Sequence, residues 1–429
     1  MENKNKSKSS KINLSQLVLL GLGSLIGSGW LFGAWEASSI AGPAAIISWI
    51  IGFIVIGTIA YNYIEIGTMF PQSGGMSNYA QYTHGSLLGF IAAWANWVSL
   101  VTIIPIEAVS AVQYMSSWPW EWAKPMGALM KDGSISTIGL FAVYVIIAIF
   151  SLLNYWSVKL LTSFTSLISV FKLGVPLLTI IMLMISGFDT NNYGHSASAF
   201  MPYGSAPIFA ATTTSGIIFS FNAFQTIINM GSEIKNPEKN IARGIAISLT
   251  LSAILYIVLQ STFITSMPSS MIHEHGWNGI NFNSPFADMA ILLGINWLAI
   301  LLYVEAVVSP FGTGVSFVAV TGRVLRAMEK NGHIPKFLGK MNEQYNIPRV
   351  AIVFNAIISM IMVTLFRDWG TLAAVISTAT LVAYLTGPTT VISLRKMAPK
   401  MTRPFKANIL KFMAPLSFYL ASLAIYWAK

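Results

Sequence analysis

The sequence predicts an all-α protein that crosses a membrane many times. Of its 429 residues, 55% are hydrophobic and only 9% are charged, whereas soluble domains carry about 25% charged residues. The hydrophobic residues form long continuous runs, while the strands of a transmembrane β-barrel would give short alternating segments. Composition and run length together predict a bundle of helices embedded in a lipid bilayer.

Eleven apolar stretches have the length that a helix needs to cross a bilayer. A polar, lysine-rich segment, residues 1–13, precedes them and is predicted to be a disordered cytoplasmic tail. An odd number of spans would place the two chain ends on opposite sides of the membrane. The predicted spans lie near residues 14–41, 43–69, 86–116, 136–154, 158–187, 206–232, 240–267, 286–322, 349–366, 370–394 and 412–428.

The basic residues predict which side faces the cytoplasm. With the N-terminus inside, Lys172 falls within a span, and the outer segments receive few of the 25 lysines and arginines. This asymmetry follows the positive-inside rule. It explains the net charge of +10, because most of the positive charge would lie against the anionic lipid of the inner leaflet. We expect no nucleic-acid partner, since no basic face interleaved with aromatic residues lies outside these loops. The basic residues of the outer segments are Lys124, Lys131, Arg367 and Lys429.

Several kinds of chemistry find no support in the sequence. There is no cysteine, and the five histidines all fall in predicted loops. No phosphate-binding motif of the form G-x-x-x-x-G-K-[ST] occurs, so ATP is not expected to drive the protein directly. The spans contain no nucleophile–base or metal-ligand constellation. We therefore predict no catalytic residue, no metal and no cofactor.

The first span contains an unusual density of glycine. The segment Gly21–Trp30 reads GLGSLIGSGW, and each glycine costs about 1 kcal/mol relative to alanine inside a helix. A dinucleotide fingerprint would need a preceding strand, which is absent here. Two interpretations remain: the small residues pack between helices, or the helix is broken around Ile26–Gly29. A break would expose backbone N–H groups and a positive dipole end to a cavity, where a carboxylate could bind.

The sixth span carries polar residues that could mark a second break. Ser220, Asn222 and Gln225 interrupt its apolar run between Gly216 and Gln225. They could equally be polar contacts between helices. Transporters built from inverted repeats place paired broken helices near the membrane midplane. Freed carbonyls in this span would accept bonds from an ammonium group, so the two breaks together would suit an amino-acid zwitterion.

Four motifs give the chain a resemblance to the amino acid–polyamine–organocation (APC) superfamily of permeases. The resemblance extends over residues 14 to 429, and the motifs are specific only in combination. They are GLGSLIGSGWLF in span one, PQSGG at Pro71–Gly75, GSEIKNPEKNIARGI at Gly231–Ile245 and RVLRAMEKNGHIP at Arg323–Pro335.

The resemblance implies a fold of two inverted repeats of five spans each, with the first and sixth spans broken. The repeats would cover residues 14–187 and 206–394, with an eleventh span at 412–428; family members commonly have twelve. It implies that the substrate carboxylate binds one set of residues and the amine another, with an aromatic ring as a gate. The first set is Ile26, Gly27, Ser28 and Gly29, and the second is Phe219, Ser220 and Phe221, beside which we place Asn222.

Lys172 is a basic residue deep within the fifth span. It follows Lys159, at the predicted inner edge, by 13 residues, which corresponds to roughly 20 Å of helix. Snorkelling to the interface is one explanation; otherwise the ammonium needs a partner or gives up its charge. In the proton-coupled permeases that the chain resembles, a lysine at this place stands where sodium-coupled relatives bind the ion. We predict that Lys172 couples transport to protons through carbonyls of the broken first span.

Three carboxyl groups are also predicted to be buried in spans. Glu107 in span three would face the central cavity by the resemblance and accept a proton or a substrate amine, unless it is paired within the bundle. Glu305 in span eight could pair with Lys172 or line the outer vestibule. Glu65, near the inner end of span two, is expected to contact loop charges.

These observations predict a secondary active transporter of the cell membrane. It would take up an amino acid or amine by alternating access and proton symport. The alternative is an obligate exchanger of amino acids or amines with the same fold. A sodium symporter is disfavoured because Lys172 would repel the ion. The sequence carries no signal for the substrate's side chain or for the oligomeric state.

Overall fold

The computed structural model describes residues 11–72, 74–156, 159–222, 224–342 and 347–428, with the side chains of 159–170 outside the description. The described chain is almost wholly helical, as the composition predicts, and its strands are two short segments that pair antiparallel as a hairpin. The first half contains α1 (Leu14–Leu25), α2 (Gly29–Ala41), α3 (Ala45–Met69), α4 (Met76–Tyr79), α5 (Gln81–Ser116), β1 (Met130–Lys131), β2 (Ser134–Ile135), α6 (Thr137–Trp156), α7 (Lys159–Gly187) and α8 (Ala197–Phe200).

The second half repeats the pattern of long helices joined by short ones. Its elements are α9 (Ala206–Thr214), α10 (Ile217–Ser220), α11 (Phe224–Asn229), α12 (Pro237–Ser266), α13 (Ser269–Gly279), α14 (Pro285–Leu292), α15 (Asn296–Lys330), α16 (Arg349–Leu365), α17 (Trp369–Tyr384), α18 (Thr386–Met397) and α19 (Leu410–Trp427).

Seven helical segments of the described chain are long and apolar enough to cross a membrane. Three shorter apolar helices accompany them at Leu14–Leu25, Phe171–Gly187 and Arg349–Leu365. The difference from eleven predicted spans has local causes. Part of the first span is continuous with the second, because α2 runs into α3 through the turn Gly42–Ala44, and the sixth span is divided into shorter helices. The fifth and ninth spans correspond to the shorter helices Phe171–Gly187 and Arg349–Leu365. The seven segments are Gly29–Met69, Gln81–Ser116, Thr137–Trp156, Pro237–Ser266, Asn296–Lys330, Trp369–Met397 and Leu410–Trp427.

The centre of the bundle is formed by α5, which packs against α6, α15, α16 and α17. Helices on the perimeter instead leave large apolar side chains exposed. On α6, Ile138, Phe141 and Val145 are 63%, 65% and 58% exposed, and their spacing puts them on one face. An apolar stripe of this kind marks a surface that contacts lipid.

Loops on the predicted cytoplasmic side are joined by backbone and amide hydrogen bonds. Asn229, at the end of α11, accepts the Gly74 N–H at its carbonyl (3.0 Å) and the Met76 N–H at Oδ1 (3.3 Å). Ile12 pairs with the segment before α12, donating to the Glu233 carbonyl at 2.9 Å. Of the predicted N-terminal tail, residues 1–10 lie outside the described residues, whereas Ile12 makes this defined contact.

Glu65 on α3 is fully buried and forms an ion pair with two arginines. Its oxygens accept from Arg395 at 2.9 and 2.5 Å and from the Ala407 N–H at 2.8 Å, and Arg403 Nε lies 3.3 Å away. The prediction that Glu65 contacts basic groups near the inner end of span two is confirmed. The pair fastens the connection between α18 and α19 to α3.

Candidate substrate site

The first span is interrupted where its glycines cluster. Helix α1 ends at Leu25 and α2 begins at Gly29, so the predicted break is present; we call Ile26–Gly29 the first-span break. Two glycines are also required for space. A Cβ on Gly27 would lie 3.1 Å from Thr313 Oγ1, and one on Gly29 would lie 2.5 Å from Ser220 Oγ. The glycines therefore permit both the unwinding and the close approach of other helices.

Carbonyl groups released at the end of α1 receive side-chain donors from other helices. In a membrane such groups must be satisfied internally, and three helices supply the donors. The pairs are Lys172 Nζ on α7 with Gly23 O at 2.8 Å, Tyr256 Oη on α12 with Leu25 O at 2.8 Å, and Ser309 Oγ on α15 with Ile26 O at 3.1 Å.

The opposite side of the first-span break presents an N–H group to a carboxylate of the protein itself. Ser28 N–H points at Glu107, with its nitrogen 2.9 Å from Oε2 and 3.2 Å from Oε1. Glu107 projects from α5 and is fully buried. Trp369 Nε1 donates to the Ser28 hydroxyl at 2.9 Å. The start of α2 thus binds a carboxyl group, as its dipole favours.

Lys172 lies inside the bundle, with 3% of its surface exposed. Its ammonium bonds the Gly23 carbonyl and the Thr313 hydroxyl, the latter at 2.5 Å. Snorkelling does not describe this side chain, because its donors end on interior acceptors. The carbonyl that it contacts belongs to the first half of the broken span, as the sequence predicted for the coupling lysine.

Glu305 is also fully buried on α15, and both of its oxygens lack a hydrogen-bond partner among the described residues. The Ser309 hydroxyl, one turn further along α15, donates to Ile26 instead. Lys172 interacts electrostatically with both Glu305 and Glu107. The structure therefore brings together the three ionisable side chains that the sequence selected from three different spans.

The sixth span is interrupted twice rather than once. Helix α9 ends at Thr214, and Gly216 follows with a φ of +82°. The short α10 then ends at Ser220, and the chain turns through Phe221 before α11. Gly216 is also sterically required, since a Cβ there would lie 2.6 Å from Trp369. The sequence predicted the second interruption but not the first.

The predicted amine-binding residues have different surroundings. The Phe219 carbonyl accepts the Asn222 N–H at 3.1 Å, and the Phe219 ring meets Trp369 edge-on at 6.2 Å. Phe221 packs edge-on against Trp49. The Ser220 hydroxyl is buried without a partner among the described residues and lies beside Gly29. Ser220 is therefore the point at which the sixth span packs against the start of α2.

Asn222 takes part in a buried polar cluster between α5, α17 and the sixth span. Its amide donates to Ser99 (3.2 Å) and Thr380 (3.0 Å), and its carbonyl accepts from Tyr384 (2.5 Å) and from Gln225. These contacts match the alternative interpretation of polar bonds between helices.

Four residues at or beside the first-span break were not selected from the sequence. Ser309 and Trp369 bond Ile26 and Ser28 in the break, Tyr256 bonds the preceding Leu25, and Thr313 bonds Lys172. A signal existed for two of them. Glu305, Ser309 and Thr313 follow one another at intervals of four residues, which places a polar stripe on one face of an otherwise apolar helix. Trp369 carries no comparable signal.

The helices and the buried polar break define an all-α, multi-span membrane protein. Comparison with known families specifies it further: residues 12–428 match the profile of the family described as "Amino acid permease". The chain belongs to this amino acid permease family. It is accordingly a transporter and not an enzyme.

Curated relatives agree with this assignment. The chain is 52% identical to the glutamate/serine transporter AimA of Bacillus subtilis (strain 168) over 413 residues, 96% of this chain and 76% of the relative. It is 34% identical to the aspartate-proton symporter of the same organism over 421 residues, 97% and 79% of the two chains. A branched-chain amino acid permease, BcaP, is 26% identical over 411 residues, 94% and 84%.

Proposed function

We propose that this permease takes up amino acids across the cell membrane together with protons, by alternating access, with its N-terminus in the cytoplasm. The substrate carboxylate would bind at the first-span break, and the amine would bind near Phe219–Phe221. One observation carries the proposal: the buried Lys172 ammonium holds the Gly23 carbonyl at that break. Any change in the charge of Lys172 therefore acts directly on the backbone that borders the site.

Glu305 supports the proton as the coupling ion. An ionised carboxylate without donors in a buried position costs several kcal/mol; Glu305 accepts no hydrogen bond from the described residues, so a bound proton would remove this cost. Lys172 interacts electrostatically with both Glu305 and Glu107. The three side chains together can hold and release protons while the site changes its exposure. A sodium ion would meet the positive charge of Lys172.

For the substrate, we propose acidic and small polar amino acids. The names of two relatives support this choice, one a glutamate/serine transporter and the other an aspartate-proton symporter.

Reconstitution into proteoliposomes tests the proposal. Vesicles without internal amino acid and with an alkaline interior should accumulate labelled glutamate, serine or aspartate above equilibrium, and a protonophore should abolish the accumulation. Uptake that requires internal amino acid would instead establish the exchanger. Uptake that follows a sodium gradient at constant pH would contradict proton coupling.

A further inference from the structure

The N–H group at the start of α2 already has a carboxyl partner from within the protein. Glu107 is fully buried, and its two oxygens lie 2.9 and 3.2 Å from the Ser28 nitrogen. This N–H is the donor that the proposed function assigns to the carboxylate of the substrate. The start of a helix carries roughly half a positive charge, which is less than the charge of one carboxylate and leaves nothing to offset a second.

Two carboxylates at this position would repel each other strongly. Unit charges about 4 Å apart interact by about 4 kcal/mol at the effective dielectric constant of a partly buried site. The Glu107 carboxyl group lies directly against the backbone of the first-span break, because a Cβ on Gly27 would press on its Oε1. One of the two carboxyl groups must therefore be neutral when both occupy the site.

We propose that Glu107 is a built-in competitor for the carboxylate of the substrate. Its ionised side chain occupies the Ser28 N–H, and an amino acid takes its place only when Glu107 gains a proton from solvent. The proton converts Glu107 to a neutral acid, the substrate contributes the new carboxylate, and the charge at the start of α2 is unchanged. This inference rests on the proposed function and specifies how one proton is tied to one substrate.

A second feature points to a ligand at the same place. The Ser220 hydroxyl is 1% exposed and has no partner among the described residues. It lies against the first residue of α2, since a Cβ on Gly29 would be 2.5 Å from Ser220 Oγ. The Glu107 carboxyl at the Ser28 N–H does not reach this hydroxyl, whereas a substrate carboxylate that extends from Ser28 towards Gly29 would supply the acceptor that it lacks.

The other ionisable groups near Glu107 come from three helices. Lys172 on α7 and Tyr256 on α12 interact with it electrostatically, and Glu305 on α15 acts through Lys172. Arg349, the first residue of α16, and Arg395, near the end of α18, lie at helix ends. Lys172 is bonded to Gly23 and Thr313; a proton passed from Lys172 to Glu107 would leave the total charge of the pair unchanged, so a net gain of one proton must come from solvent.

Calorimetric titration of the purified full-length protein in detergent tests the proposal without any gradient. Binding of glutamate or serine, measured in two buffers of different ionisation enthalpy, should take up about one proton per substrate on the alkaline side. The dissociation constant should there rise about tenfold per pH unit. Glu107→Gln should abolish both effects and bind tightly at alkaline pH. Ser110→Ala, a buried hydroxyl one turn away on α5, should leave both effects intact.

A second variant tests the proposal independently, in case Glu107→Gln does not fold. Glu107→Asp keeps the charge but draws it back from Ser28 by one carbon, so substrate should bind more tightly than to the wild type at alkaline pH. Binding without proton uptake, or equal proton uptake in wild type and Glu107→Gln, overturns the competition and leaves the transport proposal standing. If no amino acid binds to the wild type or to Ser110→Ala, the transport proposal itself fails and this inference with it.

Discussion

Lys172 and Gly23 belong to different helices, and the lysine Nζ lies 2.8 Å from the glycine carbonyl oxygen. Gly23 is in the last turn of α1, directly before the first-span break. A carbonyl at the end of a helix carries part of the negative end of its dipole, so the ammonium is bound by charge as well as by geometry. The contact ties α7 to the end of α1.

Removing this ammonium should uncouple transport from protons. Lys172→Met keeps much of the side-chain length and apolar volume but leaves the Gly23 carbonyl without its donor. We expect gradient-driven accumulation to be lost, while exchange of labelled for unlabelled amino acid across the membrane persists. Uptake by proteoliposomes with and without internal substrate measures the two activities. Full accumulation in Lys172→Met would disprove the coupling role.

Gly27 should tolerate no side chain. The Cβ of Gly27→Ala would press on Glu107 and lie 3.1 Å from Thr313 Oγ1, so it would fill the space at the first-span break where the substrate carboxylate is proposed to bind. We expect loss of most uptake with the protein still folded. Gly57→Ala is the matched control, because its Cβ would have no atom within 4 Å. Uptake normalised to protein in the membrane compares the two, and equal activity would refute the steric argument.

Trp369 should contribute to binding through its indole N–H as well as its ring. Trp369→Phe removes the bond to Ser28 Oγ but can keep the stacking on Phe32, whose ring centroid lies 5.1 Å away. A hydrogen bond of this kind contributes about 0.5–1.5 kcal/mol, so affinity should fall about two- to tenfold. Trp122→Phe, at a position 65% exposed, serves as the control. Unchanged affinity in Trp369→Phe would show that the bond does not matter for binding.

Glu65 should be important for stability rather than for transport. Glu65→Gln leaves Arg395, whose side chain is 25% exposed, and Arg403 without their counter-ion; because only the carboxyl group is fully buried, the cost should lie at or below the low end of the range for buried pairs, about 3 kcal/mol. A clear drop in the melting temperature of the purified protein is expected. Glu121→Gln breaks an exposed pair with Lys124 and should change the stability by less than about 1 kcal/mol. Equal melting temperatures for the two variants would contradict the assignment.

The sequence by itself determined the class of the protein; it also indicated the break in the first span and the burial of Lys172, with helix packing and snorkelling as the respective alternatives. These features depend on short windows of the chain. Hydropathy over about 20 residues defines a span, and clustered glycines weaken one helix wherever it packs. The motifs that carried the family resemblance are likewise local strings.

Only the tertiary structure decided which groups meet at the break. Glu107 and Ser28 are separated by 79 residues, and Trp369 and Ser28 by 341, so neither pairing leaves a trace in a local pattern. The first interruption of the sixth span likewise lies where Gly216 packs against Trp369. Such contacts depend on how distant helices pack, because a bonding distance of about 3 Å is set by the whole bundle and not by the residues on either side.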